Sequence, residues 1–258
     1  TNLNFGFNDN TVLEETVAEN STTPSREGYP VGAIFAYKTA GLDDEGYPLY
    51  LTKDGQKLSA KDLFQLNNAG ASSLCAEEQR NLLTYMGSTD PKVSGGFTNT
   101  FKYQRVTLSV NCIFNFGMHV QTTPSYSLTT YDRGLNTNRD ILNRWTPDNP
   151  EGTSPRLINS SDRPEEYSFY DNYPILNSLD IYVKKQNYFR FQSIRLAYDL
   201  PTRWLKPIGV KSASVSLEGR DLWVIASNYH NYLDPETMGN PYASPIPKSF
   251  IFGLNVNF

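Results

Sequence analysis

Apolar and polar residues alternate along the last stretch of the chain, residues 248–258. Successive side chains of a strand point to opposite faces of its sheet. The other face would carry Ser, Gly and Asn, with Ile251 as its one apolar residue and Lys248 as its one charge. The pattern predicts a strand with one apolar face and one polar, almost uncharged face. The apolar face would consist of Phe250, Phe252, Leu254, Val256 and Phe258.

Two environments produce this alternation, and they differ in what the polar face carries. The strand is long enough for a tilted crossing of the hydrocarbon layer of a bilayer, which takes about 9–11 residues. A strand of a soluble β-sandwich alternates in the same way, but its water-facing side normally carries charged residues. The uncharged polar face therefore favours a transmembrane barrel. The aromatic Phe258 also resembles the terminal signal of bacterial outer-membrane barrels.

The same alternation recurs along the chain. In the segment 106–116, the apolar residues share one face and Ile113 is the one apolar residue of the other. Together with 248–258, seven antiparallel strands are predicted, the other six at residues 1–7, 31–39, 93–103, 106–116, 187–200 and 211–224. Short helices are predicted at residues 59–66, at 73–83 with Ser73 as the cap, and at 137–145.

The connections between the predicted strands fall into two length classes. Those around Arg105 and at 201–209 are short. The long ones lie at 40–92, 119–185 and 226–247. Transmembrane barrels have short periplasmic turns and long extracellular loops. Counting strands places the polar link 8–30 on the short side, as the one exception, while Trp204 and Trp223 near strand ends fit an interfacial aromatic girdle.

Composition excludes several classes of protein. The net charge of -4 and the isoelectric point near 5.3 give no reason to expect nucleic acid as a partner. No run of about 20 apolar residues is present, so a membrane helix is excluded. The mean hydropathy of -0.50 is compatible with a barrel, because half of each barrel strand is polar. Cys75 and Cys112 are too few for a disulfide framework.

Candidate catalytic and metal-binding groups are few. His119 and His230 are the only histidines, no Ser or Cys has an evident base partner, and no glycine-rich phosphate loop is present. We therefore expect no enzymatic activity and no cofactor. Asp43-Asp44-Glu45 offers oxygen ligands for calcium, but its spacing favours a solvated turn. Asp234-Pro235-Glu236 is interpreted as a loop-shaping motif and not as a pair of acid/base carboxylates.

A series of motifs runs in a fixed order over residues 31–258. It comprises Gly41-Leu42-Asp43 with Gly46-Tyr47-Pro48, Tyr85-Met86-Gly87-Ser88 leading to Pro91-Lys92-Val93-Ser94-Gly95-Gly96-Phe97, Arg144-Trp145-Thr146-Pro147-Asp148-Asn149-Pro150 with Pro155-Arg156, Tyr188-Phe189-Arg190-Phe191 with Tyr198-Asp199-Leu200-Pro201, residues 222–232 leading to Asp234-Pro235-Glu236, and Phe252-Gly253-Leu254-Asn255-Val256-Asn257-Phe258. In this order the motifs resemble the C-terminal part of SusC/RagA-type TonB-dependent outer-membrane transporters. Asp221 stands where that family usually has Asn.

The resemblance implies an all-β fold, namely about seven C-terminal strands of an antiparallel transmembrane β-barrel with long extracellular loops. Such transporters are 22-stranded barrels whose lumen is closed by a plug domain. Residues 1–258 would be the C-terminal part of the barrel, without the plug and the N-terminal strands. Seven strands do not close a barrel, and an open sheet edge in lipid leaves backbone groups unpaired. We therefore expect the remaining strands to come from another part of the protein or from a separate chain.

The resemblance also implies partners and a location. The protein would lie in the outer membrane of a Gram-negative bacterium of the Bacteroidetes type, in contact with the lipid bilayer. A SusD-like surface lipoprotein would act as a lid, TonB would act through the plug, and the substrate would be an oligosaccharide or a peptide. The runner-up interpretation is a soluble or lipid-anchored all-β glycan-binding module.

The connection 119–185 is the candidate for contact with the lid and the substrate. Its aromatic side chains would stack on substrate and its charged ones would form hydrogen bonds, unless these aromatic residues simply pack the loop onto its neighbours. The candidate substrate-binding residues are Arg163, Tyr167, Phe169, Tyr170, Asp171 and Tyr173.

Overall fold

The computed structural model describes residues 1–59, 62, 75–122, 134, 139–157, 178–227, 234–240 and 243–258. Its strands are β1 (Asn2–Phe7), β2 (Ala33–Tyr37), β3 (Thr39–Leu42), β4 (Pro48–Leu51), β5 (Lys57–Leu58), β6 (Leu83–Ser88), β7 (Val93–Tyr103), β8 (Val106–Phe116), β9 (His119–Gln121), β10 (Val183–Lys185), β11 (Tyr188–Asp199), β12 (Ser212–Ala226) and β13 (Ser249–Asn257). Its helices are α1 (Ala76–Leu82) and α2 (Thr202–Leu205), with 3-10 turns at Arg139–Asn143, Asp180–Tyr182 and Lys206–Ile208. None of these helices is long and apolar enough to cross a membrane.

The largest unit of the described residues is a six-stranded antiparallel sheet with the order β1-β7-β8-β11-β12-β13. A two-residue turn at Gln104 and Arg105 joins β7 to β8, and Gln104 has a positive φ of 52°. Two-residue hairpin turns with positive φ match the right-handed twist of the strands that they join. The sheet confirms the predicted antiparallel all-β fold, including the strand that ends the chain.

The strand predicted at 31–39 exists, but it lies outside this sheet. It is β2, which pairs with β6 in a separate two-stranded sheet, with Tyr37 opposite Leu83. Its five residues are too few to cross the hydrocarbon layer, which takes about 9–11 residues. Ile34, Ala36 and Tyr37 are all buried among neighbouring segments. Among the described residues the large sheet therefore has six strands, and the strand at 31–39 is the one of the seven predicted strands that lies outside it.

Because β2 lies outside the large sheet, the pattern of connections differs from the predicted one. Residues 8–92 become a single excursion between β1 and β7, which are antiparallel neighbours. This excursion leaves the sheet at the same end as the connections 117–187 and 227–248, and the short links 104–105 and 200–211 lie at the other end. The exception predicted for the link 8–30 disappears. All long connections between strands of the sheet lie at one end, here called the long-connection end, and the two short ones lie at the short-turn end.

A bulge in β11 keeps the apolar side chains on one face. Phe191 and Ile194 are three residues apart, so a regular strand would point them to opposite faces. Their partners on β8 are Cys112 and Val110, which are two residues apart, because the register shifts at Gln192. The extra residue returns the following side chains to the same face. The register therefore joins both halves of β11 to one apolar face.

This apolar face of the sheet is open along the described residues. Phe252 on β13 is 73% exposed, Leu217 opposite it on β12 is 53% exposed, and Phe5 on the first strand is 69% exposed. Soluble monomers rarely expose apolar patches larger than a few hundred Å². On this face, the exposed apolar side chains of the terminal strand are Phe250, Phe252, Leu254 and Val256, followed by Phe258.

The opposite face is held together by hydrogen bonds between uncharged side chains. Thr98 and Asn111 lie 3.1 Å apart, and Thr100 and Ser109 lie 3.2 Å apart, each pair bridging β7 and β8. Asn111 donates in turn to Gln192 of β11 over 2.9 Å. Cross-strand pairs of this kind stabilise a sheet. This polar face therefore has the features of a wall in contact with water.

The main buried cluster lies outside the large sheet. It combines Tyr37, Tyr50, Leu58, Leu83 and Leu179, which belong to the connections 8–92 and 117–187. Tyr37 and Tyr50 meet edge to face with ring centroids 6.1 Å apart, and burial raises the pKa of Tyr37 to about 12. The long connections therefore have their own hydrophobic core at one end of the sheet.

The helix predictions are only partly matched. The helix predicted at 73–83 is α1, and its cap is Cys75, whose backbone amide donates to the Glu78 carboxylate over 2.9 Å. Ser73 lies outside the described residues, as does most of the helix predicted at 59–66. The helix predicted at 137–145 is a short 3-10 turn. Cys75 is exposed and Cys112 is buried, and both thiols are free.

Gly95 of β7 allows a test of how closely this strand packs between β1 and β8. A Cβ atom at this position would lie 2.4 Å from the carbonyl oxygen of Asn4 and 2.6 Å from the ring of Phe114. Gly95→Ala is expected to lower the free energy of unfolding by about 1–3 kcal/mol through overpacking, and to loosen β1 first. Hydrogen exchange of the β1 amides measures this effect.

The matched control for this variant is Gly6→Ala, because a Cβ atom there makes only an ordinary contact of 3.6 Å with Ser94. Equal protection of the β1 amides in the two variants would contradict the close packing around Gly95.

Candidate functional site

A buried arginine stands at the long-connection end of the polar face. Arg190 of β11 is 2% exposed, whereas Arg195 on the same strand is exposed. Arg190 lies opposite Ile113 of β8 and Val224 of β12, so it occupies a central position in the sheet. A charged side chain is rarely fully buried unless it is paired.

The partners of Arg190 come from the connection between β12 and β13. Its Nη2 donates to Asp234 Oδ1 and its Nε donates to Glu236 Oε1, each over 2.5 Å. Asp221 of β12 contributes a third carboxylate oxygen 3.9 Å from Nη1. Asp234 Oδ1 also accepts the backbone amide of Glu236 over 3.0 Å, and Pro235 is fully buried. One guanidinium thus binds both carboxylates of the Asp234-Pro235-Glu236 motif.

The ion pairs of Arg190 hold the loop at residues 234–236 against the sheet. Asp234 is 4% exposed, so its ion pair with Arg190 is shielded from water and two partners hold the loop in one position. Bidentate and charge-assisted hydrogen bonds to arginine are among the strongest in proteins. The motif shapes its loop, as interpreted from the sequence, but through Arg190 as well as through the proline. The sequence indicated only that Arg190 is a charged residue within a predicted strand, because its partners are 44 and 46 residues away.

A cavity of about 410 Å³ adjoins this cluster. His119 lies in its wall, with an Nδ1 atom that is buried and has no hydrogen-bond partner among the described residues. Burial, with Lys185 and Lys92 nearby, lowers the pKa of His119, so the ring is neutral at pH 7. The other residues that line the cavity are Thr89, Met118, Val120, Gln186, Glu236, Thr237, Gly239, Asn240 and Ala243.

A glycine makes room for the imidazole ring in this wall. Gly87 has a φ of 136°, and a Cβ atom there would lie 2.4 Å from Nδ1 of His119. Both the backbone conformation and the close approach therefore require glycine at this position. The cavity is polar on the side of Glu236 and has the size of a small-molecule pocket, which is typically about 300–1,000 Å³.

Two of the sequence motifs meet around Arg156. Its guanidinium lies 5.3 Å from the ring centroids of both Tyr47 and Trp145, and its Nη1 donates to the carbonyl of Glu45 over 3.0 Å. Such cation–π contacts stabilise the arrangement. A second cavity, of about 490 Å³, lies beside Trp145. The structure therefore brings the segment around Tyr47 together with the distant segment 144–156.

The acidic turn in the first of these segments has a structural use. Asp43 Oδ1 accepts the backbone amides of Glu45 and Tyr47, each over 2.9 Å. Aspartate side chains commonly fold turns in this way. Within the described part of the chain, no group of three or more His, Cys, Asp or Glu residues is arranged to hold a metal ion.

The six substrate-binding residues predicted from the sequence lie outside the described residues. They are Arg163, Tyr167, Phe169, Tyr170, Asp171 and Tyr173. The described site consists instead of Arg190, its carboxylate partners and the His119 cavity. The sequence held one signal for the ion pair between Arg190 and its carboxylates. It was a charged residue within a strand, followed in the next long loop by two acidic residues with a proline between them.

Comparison with known proteins finds relatives that this chain matches over only part of their length. No family model matches it. It is 28% identical over 191 residues to TonB-dependent receptor P26 of Formosa agariphila, covering 67% of this chain and 18% of that protein. It is 22% identical over 248 residues to TonB-dependent receptor P3 of the same organism, covering 90% of this chain and 23% of that protein. The chain thus spans about a fifth of the length of these curated relatives.

Solved structures share the fold. The RagAB peptide transporter matches with a TM-score of 0.63 and 22% identity, over 93% of this chain and 24% of that one. The RagAB peptide importer in the open-open state matches with a TM-score of 0.68 and 21% identity, over 99% of this chain and 26% of that one. The predicted resemblance to SusC/RagA-type TonB-dependent transporters and the predicted class of fold, an all-β barrel segment, are both confirmed.

The Arg190 cluster is open to a direct test. Arg190→Met leaves the buried carboxylate of Asp234 without its cation, and loss of one partner of a buried ion pair typically costs about 3–5 kcal/mol. We expect the connection 227–248 to become the most protease-sensitive part of the chain. Limited proteolysis with mass-spectrometric mapping measures this change.

Arg195→Met is the matched control, since Arg195 lies on the same strand but is exposed and has Ser216 Oγ at 3.4 Å as its described partner. Adding Asp234→Asn and Glu236→Gln to Arg190→Met should restore part of the protection, because the uncompensated charges are removed. Unchanged cleavage in Arg190→Met would contradict an anchoring role.

Proposed function

We propose that this chain forms the C-terminal wall of a TonB-dependent importer in the outer membrane of a Gram-negative, Bacteroidetes-type bacterium. The observation that carries the proposal is the six-stranded sheet, which has one exposed apolar face and one hydrogen-bonded polar face. The likeness to TonB-dependent receptors and to the RagAB transporter supports the same assignment. This chain matches about a quarter of the length of the solved RagAB chains. The complete transport activity would therefore belong to a longer protein or assembly.

In this proposal the apolar face contacts the hydrocarbon layer. Phe250, Phe252, Leu254, Val256 and Phe258 face lipid, and the polar face lines the lumen. A bilayer has no water to pair with backbone groups, so a spanning sheet needs a partner strand on each edge. The free edges of β1 and β13 would be continued by the rest of the barrel, and the plug domain would fill the lumen.

The long-connection end would face the outside of the cell. There a SusD-like lipoprotein would cover the lumen and trap peptides or oligosaccharides, and the connection 119–185 with its six candidate residues would contact both. Pulling by TonB on the plug would release the substrate inward. The Arg190 cluster would hold the connection 227–248 in place at the rim while the lid opens and closes.

This proposal includes no binding of nucleic acid, no catalysis and no resident cofactor. A soluble glycan-binding module would have to cover the apolar face with protein, and in the described residues Phe252 remains 73% exposed. The transporter is therefore the function that the arrangement of side chains supports best.

The lipid contact predicts different responses at two adjacent positions. Leu254→Arg places a charge on the lipid side and should cost about 2–4 kcal/mol near the middle of the bilayer. Asn255→Arg places the same charge on the lumen side and should be tolerated. Urea unfolding of the bilayer-reconstituted protein measures both values, and equal costs would favour the soluble module.

The transport function predicts a phenotype in cells. Deletion of the gene that encodes this chain should abolish TonB-dependent uptake of either a labelled oligopeptide mixture or a labelled oligosaccharide mixture. Plasmid-borne wild-type protein should restore it, and a strain without TonB should resemble the deletion. Normal uptake of both mixtures in the deletion strain would refute the proposal.

A further inference from the structure

The turn between β11 and β12 presents an unusual surface at the short-turn end. Leu205 and Val210 are buried against Ala213 and Leu200, and they fix the turn onto the strand ends. Trp204 and Ile208, on the other side of the turn, are 57% and 67% exposed. The structure thus holds two large apolar side chains outward from a packed base.

Positive charge surrounds these two side chains. Lys102, Arg105, Arg203, Lys206 and Lys211 are all exposed at this end. Lys102 pairs with Asp199 over 3.7 Å. For the other four, no carboxylate lies within ion-pair distance among the described residues, and Arg203 instead lies 5.9 Å from the ring centroid of Trp204. The residues 102–106 and 199–211 hold five basic side chains and one acidic one, a net charge of +4.

The other end of the sheet has the opposite charge. The described side chains of the three long connections, 8–92, 117–187 and 227–248, include 18 acidic and 11 basic ones, a net charge of -7. Among the described residues, charge is therefore sorted along the axis of the strands, which the total of -4 for the chain conceals. A local excess of cations attracts anionic partners even when the whole protein is acidic.

We propose that the turn 200–211 binds the headgroups of anionic phospholipids, with phosphatidylglycerol as the lipid to be tested. Arg203, Lys206 and Lys211 would contact phosphate, while Trp204 and Ile208 would insert at the level of the headgroups. Trp residues prefer this boundary, and long basic side chains reach from it to the headgroups. Tyr198, which pairs with Val106 and Val215 two residues before this turn, is also exposed, and the inference rests on the proposed membrane location.

The test uses the complete protein that contains this chain, reconstituted in nanodiscs of equal parts phosphatidylcholine and phosphatidylglycerol. In parallel samples, one of the two lipids carries a photoactivatable headgroup, and the peptides cross-linked to it are mapped by mass spectrometry. Cross-links to 199–211 should favour phosphatidylglycerol by about fivefold for each cation in contact. The preference should decrease as salt is added.

The variant Arg203→Gln/Lys206→Gln/Lys211→Gln should bring the two lipids to nearly equal cross-linking. The matched control is Lys38→Gln/Lys53→Gln/Lys57→Gln, which removes three exposed cations from the long-connection end and should leave the preference unchanged. Equal cross-linking of both lipids to wild-type 199–211 would overturn the inference.

A second readout separates this inference from the proposed function. Lipids with a photoactivatable acyl chain should label the apolar faces of β12 and β13 whatever their headgroup. Labelling of these strands without a headgroup preference at the turn would reject only the phospholipid site. Absence of labelling from the strands would reject the membrane location itself.

Discussion

The alternation of side chains between the two faces of the six-stranded sheet is the constraint on which the rest of the structure depends. A shift of one residue in any strand would move its apolar side chains to the polar face. The sheet meets this constraint even where the strands are irregular, because the bulge at Gln192 keeps Phe191 and Ile194 on the same face. The apolar face, the polar face and the position of Arg190 all follow from this register.

The register also determines where the long connections attach. Since neighbouring strands are antiparallel, every second connection lies at the same end, and the longer ones can build a hydrophobic core there without interrupting the sheet. Arg190 links the two parts of the molecule. It belongs to a strand of the sheet, but its carboxylate partners Asp234 and Glu236 belong to a connection.

The two ends of the sheet differ in more than the length of their connections. The long-connection end is acidic and contains the main buried cluster and the cavities beside His119 and Trp145, whereas the short-turn end is basic and presents Trp204 and Ile208. This asymmetry suits a protein that separates two different environments, as the proposed importer does. In the proposed orientation, substrate and lid meet the acidic end, and a phospholipid leaflet meets the basic end.

The sequence by itself determined the strands of the large sheet and, except across the bulge in β11, which of their side chains share a face. Both properties are local, since the period of two is written in neighbouring residues, and the motifs pointed correctly to the transporter resemblance. Tertiary structure alone decided that β2 pairs with β6 outside the sheet, because a short alternating segment fits a small sheet as well as a large one. It alone decided that Arg190 binds Asp234 and Glu236, since partners more than 40 residues apart meet only when the register brings them together. The separation of charge between the two ends likewise appears only once the path of each strand is known.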